Sequence, residues 1–343
     1  MEIRQNTLYV TTQGAYVNRD HLTLRIEVAG ELKLAVPIHH LESVCLFGPI
    51  MISPQAGQLC WEHGVSVNCF SETGYFLGRW EGVSNTSVAL RRNQYRAADD
   101  PQKSISVARQ CIAGKIQNAR QSLLRSGRET KSEGEKQALQ NCANELGNIL
   151  IELSKSKTAD EARGHEGLAA NRYFGNFSLH FSQQRDDFLF TTRTRRPPLD
   201  NINCLISFLY ALLLHDCIAA LTATGLDPYV GFLHTERPAR PSLALDLMEE
   251  FRTLLSDRLA ITLINRKQVG PKDFIKREGG AIELTDHGRK EILKAWQIRK
   301  QDTVTHPLLG QECRVGHLML IQARIMARHL RGDMPEYLPC ILR

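Results

Sequence analysis

Apolar and polar residues alternate near the start of the chain. Leu22, Leu24, Ile26 and Val28 are interleaved with Thr23, Arg25 and Glu27, and after Ala29-Gly30-Glu31 the alternation resumes at Leu32, Leu34, Val36 and Ile38. A period of two sends alternate side chains to one side, so this stretch predicts a hairpin with one buried face. Further short strands are expected at 44–47, 65–70 and 75–80, punctuated by Gly48, Pro49, Gly64 and Gly74. Strands in such succession predict a small β sandwich or barrel.

From Gly82 to Thr86 the chain turns polar, and by Ser104 the period is helical. Ile105, Ala108, Ile112, Ile116, Ala119 and Leu123 trace one face, with Gly127 as a stop, and a second helix runs through Leu139, Cys142, Leu146, Ile149 and Leu153. Thr158-Ala159-Asp160-Glu161 has the form of a capping box, so a helix should start there and carry Glu166 in its middle, on the face of Ala169, Ala170 and Tyr173. Residues 202–224 read as a buried helix ended by Gly225, Asp227-Pro228 turns the chain toward His234, and Ser242 is placed to cap a helix carrying Asp246 and Glu249 on one side. The expected fold class is α+β. An N-terminal β-sandwich-like domain (1–84) is followed by a linker (85–103), a larger all-helical catalytic domain (104–331) and an irregular, disordered tail (332–343).

Composition narrows the class. A chain of 343 residues has room for two domains, and 23% charged with 42% hydrophobic residues fits neither disorder nor a membrane protein. The most apolar stretch, 204–214, is shorter than the roughly 18 residues of a membrane span, and Met1-Glu2-Ile3-Arg4-Gln5 lacks a secretory pattern, so a cytoplasmic protein is expected. Nine cysteines without a Cys-x-x-Cys pair argue for reduced core thiols rather than disulfides or structural zinc. The formal charge is +6, and residues 258–343 hold 16 Lys and Arg against 9 Asp and Glu, a basic stretch on which a polyanion could lie.

The candidate chemistry sits in three segments: His165-Glu166-Gly167-Leu168-Ala169-Ala170-Asn171-Arg172-Tyr173-Phe174, Gly231 through Pro238 around His234, and Pro241 through Arg252 with Asp246 and Glu249. Each residue alone has an ordinary reading as a surface charge or a satisfied core histidine. Their neighbours are small or apolar, however, and carboxylates at the edge of a core need a partner ion. Two carboxylates and an imidazole can hold one divalent cation with positions left for substrate oxygens, the donor set of phosphodiester chemistry. His165-Glu166 opens like a zincin helix, but Ala169 stands where the second histidine belongs. No nucleophile elbow, Walker loop or dinucleotide fingerprint occurs. Arg193, Arg195 and Arg196, and then Arg237, Arg240 and Arg252, are the candidates for contact with phosphate.

With Leu90-Arg91-Arg92-Asn93-Gln94-Tyr95-Arg96, Glu166 through Phe174, Arg195-Arg196-Pro197-Pro198-Leu199-Asp200-Asn201-Ile202-Asn203 and His234 through Arg252, nearly the whole chain resembles the CRISPR-associated integrases, in the variant found beside type I-C systems. The resemblance implies a metal site of Glu166, His234 and Glu249, with Asp246 lining it, and Mg²⁺ or Mn²⁺ as the cation. It further implies an asymmetric homodimer joined through the β domains. Two such dimers flank a dimer of the small second adaptation protein, load a duplex with 3′ overhangs, and catalyse attack of its 3′-hydroxyl on a repeat phosphate. Two other readings of the same residues stay open: a structure-selective nuclease using water as nucleophile, and a DNA-binding scaffold with a structural metal.

Overall fold

The computed structural model describes residues 6–74, 76–82 and 88–342. The opening Met1–Gln5, the expected strand start at Tyr75 and the expected boundary at 84/85 lie outside the described residues. Two compact units separate. One gathers the described residues up to 82 together with Arg289–Asp302, and the other holds 88–288 and 303–342.

The first unit contains β1 (Asn6–Val10), β2 (Ala15–Asp20), β3 (Thr23–Val28), β4 (Glu31–Pro37), β5 (Leu41–Phe47), β6 (Met51–Ile52), helix α1 (Pro54–Glu62), β7 (Ser66–Phe70) and β8 (Phe76–Trp80). They form two four-stranded sheets, ordered β1-β5-β7-β8 and β4-β3-β2-β6. Leu8, Val44 and Val67 from the first sheet, Val17, Leu24 and Ile26 from the second, and Leu59 from α1 share one core. The expected hairpin is β3–β4, closed by Ala29 and Gly30, both at positive φ as the twist of a two-residue turn demands. Its burial differs from the expectation. Leu24 and Ile26 are buried, but Leu32 and Leu34 are each 48% exposed, because β4 is an edge strand and, past the register shift at Ile26/Glu27, Leu32 pairs with Glu27 rather than with a core residue. Helix α1, absent from the periodicity reading, is set by Ser53, whose hydroxyl accepts from Ala56 N, with Pro54 in its first turn.

The second unit starts inside the expected linker. Residues 88–99 form helix α2 (Val88–Asp99), with Gln94 fully buried, followed by α3 (Pro101–Glu129), α4 (Glu133–Lys155) and α5 (Ala159–Gly175). Every apolar position expected to face inward on α3 and α4 is buried. Gly127 does not stop α3; it lies buried within the last turns, beside Leu139 of α4. Helix α6 (Asn201–Thr224), capped by Asp200 and ended by Gly225 at φ 85°, is the expected apolar helix. It is long and apolar enough by composition to cross a membrane, but 72% of its most apolar window is buried inside the protein. Helix α7 (Ser242–Phe251) runs through a π-helical turn (Arg252–Asp257) into α8 (Arg258–Asn265). The unit is not purely helical. Beyond α8 come two short antiparallel pairs, β9 (Phe274–Lys276) with β10 (Ile282–Leu284) and β11 (Thr303–Thr305) with β12 (Glu312–Arg314). Between the pairs in sequence runs helix α9 (Asp286–Gln301), which from Arg289 onward belongs to the first unit, and α10 (Leu318–Arg331) of the second unit follows. All nine cysteines are free thiols.

The tail is ordered, contrary to the expectation of an irregular end. Tyr337 is 1% and Cys340 0% exposed. The reason is a polar debt in the core. Glu250 of α7 is fully buried; its Oε2 accepts from Gln322 Nε2 at 3.0 Å and Cys340 N at 2.8 Å, and Tyr337 hydroxyl donates to Oε1. Asn118 Nδ2 donates to the carbonyls of Glu250 at 2.9 Å and Cys340 at 2.8 Å, pinning tail to α7. A buried carboxylate without those donors would cost several hydrogen bonds' worth of free energy.

Candidate active site

Glu166 is placed by the start of its helix. Thr158 Oγ1 accepts from Glu161 N at 3.2 Å, and the Glu161 carboxylate reaches back to Lys157 N at 2.7 Å, a capping arrangement that fixes the first turn of α5. Ala162 and Ala169 are buried on the face next to Glu166, where small side chains let α3 come close. From α3, Lys115 puts its ammonium against Glu166 Oε1 and 2.8 Å from Glu249 Oε2.

His234 is placed by its loop. Gly231 permits the loop to lie on the start of α7, because a Cβ there would stand 2.7 Å from Asp246 Oδ2 and 2.7 Å from the carbonyl carbon of Ser242. Asp246, 0% exposed, then accepts from Phe232 N (2.6 Å) and Leu233 N (3.0 Å) on Oδ2, and from His234 N (3.0 Å) and His234 Nδ1 (2.7 Å) on Oδ1. A carboxylate facing Nδ1 makes that nitrogen the donor and leaves Nε2 as the free lone pair. Nε2 stands 3.8 Å from Glu249 Oε1. The same loop is tied from α3 by Ser104 Oγ donating to Phe232 O at 3.2 Å, and from α5 by Arg163 donating to Leu233 O at 2.8 Å. Upstream, Gln94 clamps the turn by bonding Asp227 O, Val230 O and Asp227 N. Ser242 is not the cap of α7. It is the first helical residue, and its hydroxyl donates to Thr235 O at 3.3 Å, because Pro241 already occupies the cap position.

Glu249 is 3% exposed and receives Arg252 at 3.0 Å on Oε1. Burial pushes its carboxyl up, but Arg252, then Lys115 and His234, outweigh burial and hold it down at about 2. Arg252 lies 4.6 Å above the ring of Tyr210, whose hydroxyl donates to Asp257 at 2.8 Å. The π-helical turn begins at Arg252 and ends at Asp257, widening the helix where these two charges must point to the same side. Burial pushes Asp257 up to about 6 against the bond from Tyr210 and the charge of Arg252.

Glu166, His234, Glu249 and Asp246 thus converge, from a helix, a loop and a second helix. The expected phosphate contacts divide. Arg195, Arg196 and Arg237 are exposed, and Arg195 lines the cleft beside Lys115, Tyr173, Phe174 and Arg252. Arg193 points inward, bonded to Asn203 Oδ1 at 2.7 Å and Ser207 Oγ at 3.0 Å, and Arg252 is engaged with Glu249. Among the described residues no three His, Cys, Asp or Glu side chains already stand together as a ligand shell. Lys115 fills the space between the two carboxylates instead. The donor set nevertheless suits a hard divalent cation: two carboxylates, one of them buried, and an imidazole whose Nε2 is freed by a carboxylate on Nδ1.

Sequence reasoning missed Lys115, Ser104, Arg163 and Gln94. Lys115 left a trace as a charged residue three after Ile112 and four before Ala119 on an apolar helical stripe, and Gln94 one as a member of the Leu90–Arg96 segment, without a role. Gln94, Ser104 and Arg163 act on backbone atoms of a loop far along the chain, a role that no local pattern encodes.

With that geometry in place, comparisons with known proteins agree among themselves. The family described as CRISPR associated protein Cas1 matches residues 8–298. A protein of Moorella thermoacetica named CRISPR-associated endonuclease Cas1 1 is 46% identical over 343 residues, covering 100% of both chains. A casposase solved bound to integration product superposes with a TM-score of 0.82 at 23% identity, over 97% of this chain and 92% of that one. A chain of a Cas6-RT-Cas1–Cas2 complex superposes at 0.83 and 23% identity, over 100% of this chain and 37% of that one. From the β sheets of the first unit to the helices that bear Glu166 and Glu249 and the loop that bears His234, this chain belongs to the CRISPR-associated Cas1 family.

Proposed function

We propose that this chain is the integrase of CRISPR adaptation, joining the 3′-hydroxyl ends of short DNA fragments to the phosphates of a repeat array in the cytoplasm. The observation that carries the reading is the placing of Glu249 between the other two, with Oε1 3.8 Å from His234 Nε2 and Oε2 sharing the Lys115 ammonium with Glu166, while Asp246 is spent on the loop and the histidine. These three are the residues that would hold Mg²⁺ or Mn²⁺, and an imidazole donor favours Mn²⁺ in affinity. Bound there, the cation supplies Lewis-acid polarisation of a phosphate oxygen and charge neutralisation of the leaving oxygen.

The protein's own residues do the rest. Asp246 holds the imidazole in one tautomer and one orientation. Arg252 and Lys115 hold the Glu249 carboxyl down against the burial that pushes it up. Arg195, which lines the cleft, and the exposed Arg196 and Arg237 are the side chains to meet phosphate. On the second unit a wider groove is lined by Arg125, Arg128, Arg258 and Arg266, and the last three have no acceptor among the described residues, as a backbone-tracking surface requires. Transesterification needs the two DNAs held in line, so positioning by such contacts is part of the rate enhancement.

The partners belong to the same proposal: a duplex with 3′ overhangs, a homodimer joined through the β unit, and two dimers around the small second adaptation protein. Support for the dimer is a cross-strand row on the β4-β3-β2-β6 sheet, where Met51 pairs with Tyr16, Tyr16 with Glu27 and Glu27 with Leu32, and the three apolar members are 68%, 37% and 48% exposed in that order. The placement beside type I-C systems rests on the sequence variant alone.

The test is an integration assay with the purified protein, its small partner, a duplex with 3′-hydroxyl overhangs and a supercoiled plasmid carrying a repeat. Joining in Mn²⁺ that EDTA abolishes supports the integrase. Nicking without joining moves the assignment to a nuclease, and DNA binding with neither activity moves it to a scaffold.

A further inference from the structure

Among the described residues the Lys115 ammonium has two partners, and both are acidic side chains. It pairs with Glu166 Oε1 and, at 2.8 Å, with Glu249 Oε2, and the lysine side chain is 15% exposed. Glu166 has no other hydrogen bond or close ion pair among the described residues, Arg252 feeling its charge from farther off, and Glu249 Oε2 has no close cation besides Lys115, since Arg252 and His234 face Oε1. Two carboxylates from different helices aimed at one point repel unless a cation stands between them. In this structure that cation is Lys115.

We propose that Lys115 is a built-in counterion that a divalent metal must displace, an inference that rests on the metal reading of the site. The same two oxygens cannot serve an ammonium and a metal ion at once. Lys115 therefore preassembles Glu166 and Glu249 at bonding distance, so the ligands are not splayed before the metal arrives, and it also competes with the metal and lowers its affinity. Its four-carbon stem lets the ammonium leave while α3 stays fixed, and the cleft that it lines with Arg195 and Arg252 is where it can go. Lys115 is thus a positioning residue for Glu166 and Glu249. A role confined to packing makes the opposite prediction, because loosening the ligands would weaken metal binding.

Metal affinity of the whole protein without DNA decides it, by titrating Mn²⁺ against wild type, Lys115→Met and Lys115→Arg and following free Mn²⁺ by electron paramagnetic resonance. The expected result is binding about tenfold or more tighter in Lys115→Met, wild-type affinity in Lys115→Arg, and a lower melting temperature of Lys115→Met without metal that Mn²⁺ restores. Equal or weaker Mn²⁺ binding by Lys115→Met overturns the counterion role and leaves the metal site standing. Absence of Mn²⁺ binding in both proteins overturns the site itself. Should Lys115→Met not fold, acylation of wild-type lysines read by mass spectrometry serves. Labelling of Lys115 that rises on adding Mn²⁺ supports displacement, and labelling that is unchanged or falls overturns it.

Discussion

Asp246 Oδ1 lies 2.7 Å from His234 Nδ1, and the same carboxylate takes three backbone N–H groups from residues 232, 233 and 234. One side chain therefore sets the position, tautomer and direction of the imidazole, and has no lone pair to spare for a cation. Replacing it, Asp246→Ala, leaves buried donors unpaired and should cost on the order of 3 kcal/mol of stability. Thermal melting checks this: a clear fall in melting temperature is expected, whereas an unchanged one would mean the loop holds itself.

Gly231 sits under that arrangement. Gly231→Ala puts a methyl 2.7 Å from Asp246 Oδ2 and against the backbone of Ser242, so the loop must lift. The expected loss is about 1 to 3 kcal/mol of stability, with joining activity reduced at least tenfold and DNA affinity kept, read by melting, integration and filter binding. Full activity would show that His234 does not depend on the loop's seat.

Much of this was legible from the chain, and the limits have physical causes. The stripes of α3 and α4 and the cap of α5 were readable because helical period and capping are local. Helix α1 and the β9–β12 pairs were not, since short elements carry too few residues to show a period. Leu32 and Leu34 mislead because alternation records which face a residue takes, not whether that face is covered. The four residues Glu166, His234, Asp246 and Glu249 were readable as types in apolar surroundings. The division of labour between Asp246 and Glu249 was not, because it depends on where a loop's N–H groups point. The tail was misread for a similar reason: its order comes from Glu250, more than 80 positions upstream of Tyr337.

Glu250 gives a pH dependence with a definite sign. Burial pushes its carboxyl from 4.5 to about 8 in spite of the donors Tyr337, Cys340 N and Gln322. A folded value above the unfolded one means that its contribution is complete below about 4.5 and is lost as pH rises through about 8. Wild-type stability relative to Glu250→Gln should thus fall between those values by up to about 1.4 kcal/mol per pH unit. Denaturant unfolding of both proteins across the range measures it. A difference that stays level or grows with pH contradicts the protonated, buried carboxyl.

The apolar row on the β sheet makes a separate prediction. Tyr16, Leu32 and Met51 line up across β2, β4 and β6 and are exposed. Charging its two ends, with Leu32→Lys and Met51→Lys together, should weaken self-association at least tenfold with no fall in melting temperature, because neither residue is in the core. Sedimentation velocity decides, and an unaltered dimer would place the interface elsewhere.

The central claim concerns three side chains and one cation. A crystal of the protein soaked in Mn²⁺, with anomalous scattering recorded at the manganese edge, tests it most directly. The account predicts a single strong peak bonded to Glu166, His234 Nε2 and Glu249, with Asp246 still bonded to Nδ1 and Lys115 moved away. A peak on Asp246, or none between Glu166 and Glu249, would contradict it.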